Sequence, residues 1–416
     1  MVNQKEFLER FTGAIEQEFT SKTGSPLPWA PGHPKQWASE KAAIHLGQET
    51  QSTPALSPDE MLLAVGVGED VHIYKVATQE RLKILKGHTA VVEGVQFSSQ
   101  TYDGGYLLAS HSGVALGDAS SKVILWRLDN HGNSLFSEQP DKFDGQLGLW
   151  GSSAFSPDGK SLIFISQNVS TQFDEQDGIS HDASSLPCIN LWKVEGKITQ
   201  HHLRGHTDKI QCVTISPDGK HLASAAWDGT TRIWDTTTGS CLDVLGPFDG
   251  GQLWSVGFSP NGSHVAISQE SPNGRVHVCE VSTGKTVSTV NFHLWTRSVA
   301  WNPEGDMVAC GADPGTVAVW NPYTGEEKMR WGLKFEDFGM GTMARPRAVR
   351  FLGKGKIVFQ LNEGTVYAYD LEANRKYRFG RGPEDEQEKF PRAEMVCSER
   401  IFVIPDTEGV LRLWDF

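Results

Sequence analysis

Apolar and polar positions along this chain alternate in short runs broken by turn residues, a pattern that predicts many short strands rather than long helices. One phrase recurs between the runs: LSPDE at 56–60, FSPDG at 155–159, ISPDG at 215–219, FSPNG at 258–262 and WNPEG at 301–305. FSSQ at 97–100 and FLGKG at 351–355 read as weaker copies. In each, an apolar residue closes one run and a turn opens the next. Pro suits the second turn position, Asp bonds the local backbone, and Gly accepts positive φ.

A second apolar run, a second turn and a third run ending in an aromatic follow each phrase. The endings are Tyr74, Trp126, Trp192, Trp234, Trp320, Tyr369 and Trp414, with Cys279 in the same slot of the fifth repeat. Small acidic-Gly turns precede several of these third runs, as in Asp228-Gly229-Thr230. Gly87-His88 and Gly205-His206 open two of the repeats.

Together these features resemble the WD-repeat family, most closely over 205–245, and the resemblance extends over about residues 41–416. It implies an all-β propeller of four-stranded blades around a channel. It also implies that His206, Ser224, Asp228 and Trp234 form a hydrogen-bond network within their blade, of which other blades keep only parts. Counting third runs predicts eight blades, with seven and one irregular repeat as the alternative. The last repeat ends at its third strand, and residues 41–47 are placed to supply the fourth and close the ring. The expected domains are therefore residues 1–36, a helix and linker, and residues 37–416, the propeller.

Residues 3–19 carry Leu8, Phe11, Ile15 and Phe19 at helical spacing, with Asn3 as N-cap and Glu6 three residues on. They predict a short amphipathic N-terminal helix, packed on the propeller or used for docking or self-association. A Pro-rich linker follows it (Pro26, Pro28, Pro31, Pro34).

Long insertions at about 111–121, 167–187, 331–346 and 380–391 all fall on the propeller face opposite the Ser-Pro-Asp-Gly turns. Loops on a rigid scaffold commonly carry binding. The acidic stretches 174–177 and 384–386 favour a basic partner. On that face, the residue four before each turn-phrase aromatic is expected to rim the channel, which selects Glu93, Gln211, Trp254, Arg297 and Arg347. Glu93, Trp254, Arg297 and Arg347 are the candidate partner contacts, with blade packing or a solvated rim as the structural alternative. Leu149-Trp150, Leu253-Trp254 and Leu294-Trp295 open blades three, five and six; Trp150 and Trp295 are slightly off register.

Composition narrows the function class. Net charge is −13 with no dense Lys/Arg run, which argues against nucleic-acid binding. No apolar run approaches a membrane span. The six Cys are scattered without a C-x-x-C pair, so no cofactor or zinc site is expected and the setting reads as intracellular: cytoplasm, with the nucleus as alternative. Four Glu among the first 18 residues oppose a mitochondrial presequence.

Catalytic motifs fail on context. VSTGKT at 281–286 lacks the first Gly of a phosphate loop and falls at a strand turn. His201, His202 and His206 have no completing carboxylate cluster. The sequence thus points to a non-catalytic scaffold or adaptor for a protein or peptide. The alternatives are a complex subunit tethered by its N-terminal helix, and a hydrolase or isomerase with a site at the channel mouth. Oligomeric state is not legible.

Overall fold

The computed structural model describes residues 25–36, 38–113, 121–132, 139–149, 151–166, 186–270, 274–292, 295–313, 315–332, 346–361, 364–380, 393–398, 400–406 and 408–415. The expected helix at 3–19, Trp150, both acidic stretches and most of the four insertions lie outside these residues.

The strands form eight sheets, each one blade of a closed ring. Blade four shows the plan. Ile210–Ile215 lines the channel, followed outward by His221–Ala226, Thr231–Asp235 and Cys241–Leu245, all antiparallel. Middle strands are apolar on both sides because each blade packs face to face with two neighbours. Outer strands meet solvent, so Leu242 and Val244 stand exposed.

Eight hydrophobic clusters sit between adjacent blades, one per interface around the ring. Leu63 and Val65 of blade one pack with Val403 and Leu411 of blade eight in the cluster that joins the two ends of the chain. An unbroken circuit of eight interfaces leaves no place for a seven-blade ring. Ala42–His45 pairs antiparallel with Val410–Asp415, so blade eight combines both chain ends. Residues 25–36 lie along the outer edge of blade seven. There Lys35–Gln36 adds a parallel fifth strand to Arg375–Gly380, and Lys376 Nζ lies 4.3 Å from the Trp29 ring centroid.

The Ser-Pro-Asp-Gly turns follow one chemistry. Ser156 Oγ donates to Asp158 Oδ1 at 2.6 Å, and the Lys160 N–H donates to the same oxygen at 3.0 Å. Gly159 takes φ +69°, and Glu60 holds the corresponding left-handed position in the first phrase at +61°. FSSQ at 97–100 departs from this pattern. Its strand runs through Val92–Tyr102, bulges between Phe97 and Thr101, and turns only at Asp103-Gly104. Paired backbone on Gly105–Ser112 extends the hairpin past the phrase, and the stronger local turn chemistry of Asp-Gly takes over.

Candidate functional site

In blade four, His206 Nδ1 lies 2.8 Å from Asp228 Oδ2, and its Nε2 lies 2.7 Å from Ser224 Oγ. The Trp234 indole N–H donates to that same Oγ at 2.9 Å. Burial alone would raise the Asp228 carboxyl, but hydrogen bonds from His206, Thr230 and Thr207 outweigh it and hold the group at about 2. Blade two repeats the arrangement with Ser112 in place of the Asp. There His88 reaches Ser110 Oγ at 2.7 Å and Ser112 Oγ at 2.9 Å, and Trp126 donates to Ser110 at 2.8 Å.

Strand register explains why the other blades keep only parts. The serine slot lies two residues after the partner of the third-strand aromatic: Ser224 beyond Leu222↔Trp234, and Ser110 beyond Leu108↔Trp126. The same step lands on Val65, Phe164, Ile267, Cys310, Phe359 and Ile404 in the remaining blades. None of these is a hydroxyl, so the serine-centred bonds are missing there; Tyr74 and Tyr369 bond through their own hydroxyls, Tyr74 with His72 at 3.2 Å and Tyr369 to Asn374.

The five rim positions share a backbone cause. Inner-strand pairing jumps from Val92↔Ser112 to Gly94↔His111, leaving Glu93 as the extra residue of a bulge. The same skip isolates Gln211, Trp254, Arg297 and Arg347 in blades four to seven. A bulge breaks the two-residue alternation and re-aims a side chain. Sequence counting found the position because each bulge stands at a constant distance from the phrase, even in blade two where the turn itself comes later.

These side chains do not form one cluster. In blades five and six, the Arg297 guanidinium carbon lies 5.0 Å from the Trp254 ring centroid and 4.9 Å from that of Trp295. The Trp254 ring packs on Trp227 of blade four at 5.7 Å, and Lys209 Nζ lies 5.2 Å from the Trp227 ring. Trp254 donates its N–H to Glu270, and Arg297 Nε lies 3.5 Å from Asp313 Oδ2. Burial raises the Glu270 carboxyl against the opposing pull of Trp254 and Arg297. Gln211 is buried.

Glu93 and Arg347 instead line a cavity of about 940 Å³ bounded by blades seven, eight, one, two and three. The inner wall carries little regular strand there. Inner strands are two residues long in blades one and eight, and blade three has three strands, with isolated bridges Gln146↔Ile165 and Phe155↔Leu162 in place of a fourth. The counterpart strands of blades four, five and six have six residues each. Arg350, Glu394 and His111 also line this cavity and escaped sequence reasoning; only the turn-phrase register of Arg350 marked it as an inner-strand residue. Burial pushes His111 down to about 4, and neither of its ring nitrogens has a hydrogen-bond partner among the described residues.

The motifs set aside on sequence take ordinary structural places. VSTGKT forms the turn between Arg275–Glu280 and Thr286–Asn291. His201 bonds Thr237 O and His202 bonds Asn190 Oδ1, each apart from the His206 network. All six cysteines are free thiols. Among the described residues, no group of three or more His, Cys, Asp or Glu is placed to hold a metal ion.

The family profile described as "WD domain, G-beta repeat" matches residues 197–235 and 284–321. Each match runs from the outer strand of one blade through the third strand of the next. The small ribosomal subunit protein RACK1y of Oryza sativa subsp. japonica is 27% identical over 140 residues, covering 32% of this chain and 40% of that protein. THO complex subunit 3 of Arabidopsis thaliana is 27% identical over 134 residues, covering 31% of this chain and 41% of that protein. The matched regions span less than half the length of these relatives. The crystal structure of Saccharomyces cerevisiae Sqt1 shares the fold, with a TM-score of 0.64 at 13% identity over 91% of this chain and 97% of that one. Repeat pattern, eight-blade ring and profile matches agree: the chain belongs to the WD-repeat β-propeller family.

Proposed function

We propose that this chain is a non-catalytic interaction scaffold that holds a protein or peptide partner at the channel mouth. The observation that carries this is the set of inner-strand bulges, which present Glu93, Trp254, Arg297 and Arg347 on one face of a rigid ring. Trp and Arg are the residue types that anchor interfaces. The names of two relatives, a ribosomal subunit protein and a THO complex subunit, describe members of assemblies and support a partner-holding role. Free thiols and the net charge of −13 fit an intracellular scaffold with a basic partner.

The test is affinity purification of the tagged chain against Trp254→Ala combined with Arg347→Glu. Loss of a specific co-purifying protein by a chain that still folds supports the scaffold. Retention of every partner, or loss of folding, refutes these residues as the contact surface.

A further inference from the structure

The cavity at the channel mouth has a chemistry separate from the Trp-rich half of the rim. Arg350, on the inner strand Pro346–Leu352 of blade seven, extends into the channel. Its Nη2 lies 3.7 Å from where a Cβ on Gly151 of blade three would stand. Nη1 donates to Val349 O at 2.9 Å, and Nη2 lies 3.6 Å from Glu394 Oε2 of blade eight. That separation is too long for a hydrogen bond. The Arg350 and Glu394 side chains are 35% and 17% exposed, so both charges remain open to the cavity.

Two opposite charges held side by side select against simple ions. A plain anion attracted to Arg350 meets Glu394, and a plain cation attracted to Glu394 meets Arg350. A zwitterion with its own charges a few ångströms apart satisfies both at once, in a ring of alternating sign. A guanidinium fork also suits a carboxylate geometrically. Leu56, Phe97, Leu147 and Leu149 give the same cavity an apolar wall. Its volume, about 940 Å³, falls in the range of ligand pockets.

We propose that this cavity binds a zwitterion of the α-amino-acid class with an apolar side chain, its carboxylate on Arg350 and its ammonium on Glu394. The ligand is a free amino acid, because the terminal charges of a peptide are separated by about 3.5 Å more with each added residue and leave the side-by-side pair unmatched. Glu93 and Arg347 line the same cavity, and the recognition is assigned to Arg350 and Glu394 because these two stand side by side.

Isothermal titration calorimetry of the full chain tests the assignment. The probes are the twenty free amino acids and trileucine, with propionate and propylamine as single-charge controls and N-acetylated and amidated leucine as blocked forms. We expect at least one apolar zwitterion to bind, and each single-charge control or blocked form to bind at least about tenfold more weakly. Leucine is expected to bind and trileucine, whose terminal charges stand further apart, is not; binding of trileucine alone also overturns the proposal. Arg350→Gln is expected to weaken binding at least about tenfold. Glu394→Gln is expected to erase the zwitterion's advantage over propionate, and it decides the matter if Arg350→Gln does not fold. Absence of binding by every zwitterion, equal binding of propionate to the unmodified chain, or binding unaffected by both substitutions overturns the proposal.

Discussion

Arg297 and Trp254 are stacked across the boundary between blades five and six, with the guanidinium carbon 5.0 Å from the indole centroid. Trp254 therefore serves its own ring as well as any partner. A double-mutant cycle on Trp254→Ala and Arg297→Ala, read by urea denaturation, is expected to show a coupling of about 0.5–2 kcal/mol. Strict additivity would mean that the stack contributes nothing to stability.

Ser224 receives the Trp234 N–H and also faces His206, so removing its hydroxyl leaves two buried groups short of a partner. Ser224→Ala is expected to cost about 2–3 kcal/mol. Blade six offers the reverse experiment. Cys310 occupies the serine slot near Trp320, whose indole nitrogen has no hydrogen-bond partner among the described residues. Cys310→Ser is expected to be neutral or stabilising by up to about 1 kcal/mol. A clear loss of melting temperature in the Cys310→Ser chain would show that the slot there is too apolar for a hydroxyl.

Acidification is expected to destabilise the ring in two stages. Burial lowers His88, His111 and His277 from 6.5 to about 4, so the folded state favours their neutral forms. Between about pH 6.5 and pH 4 the unfolded chain binds more protons than the folded one, and stability falls as pH falls. The loss is on the order of 1–2 kcal/mol per histidine by pH 5. Asp228, held at about 2, adds its loss only below the ordinary aspartate value of 3.8. Urea midpoints measured at pH 7.5, pH 6 and pH 5 check the first stage; a flat series contradicts it.

Ile44 sits on the strand that joins the two chain ends and is buried with Leu63, Val65, Val403 and Leu411. Ile44→Asp places a charge in that cluster and is expected to cost more than about 3 kcal/mol. Lys41, just before that strand, pairs with Asp415 at 2.8 Å, but both side chains are more than half exposed. Lys41→Ala is expected to change stability by less than about 0.5 kcal/mol. Equal melting temperatures for these two variants would show that packing at Ile44 does not hold the ring closed.

Sequence alone pointed to an eight-blade ring, because third-strand endings recur eight times, seven of them aromatic and one Cys279. The closed circuit of eight interfaces then excluded the seven-blade alternative. The endings and turn phrases are local signals: a Ser-Pro-Asp-Gly turn forms from bonds spanning about five residues. The rim positions were legible for the same reason, since each bulge keeps a constant offset from its phrase. Even a local signal failed once, at 97–100, where pairing along Gly105–Ser112 carried the strand past the phrase.

Only tertiary structure decided how the rim divides. Trp254 and Arg297 meet Trp227 and Trp295 in one half, whereas Glu93 and Arg347 line the cavity in the other. Short inner strands in blades one and eight border the cavity, together with residues 147–149 and 151–152. The latter residues bond forward to blade four, with Leu149 N–H on Gln211 O and Val213 N–H on Ser152 Oγ. Arg350 and Glu394 lie 44 residues apart in sequence and meet only because blades seven and eight adjoin around a closed channel. A repeat pattern specifies each blade's strands, but the contents of the shared centre depend on side chains from many blades at once.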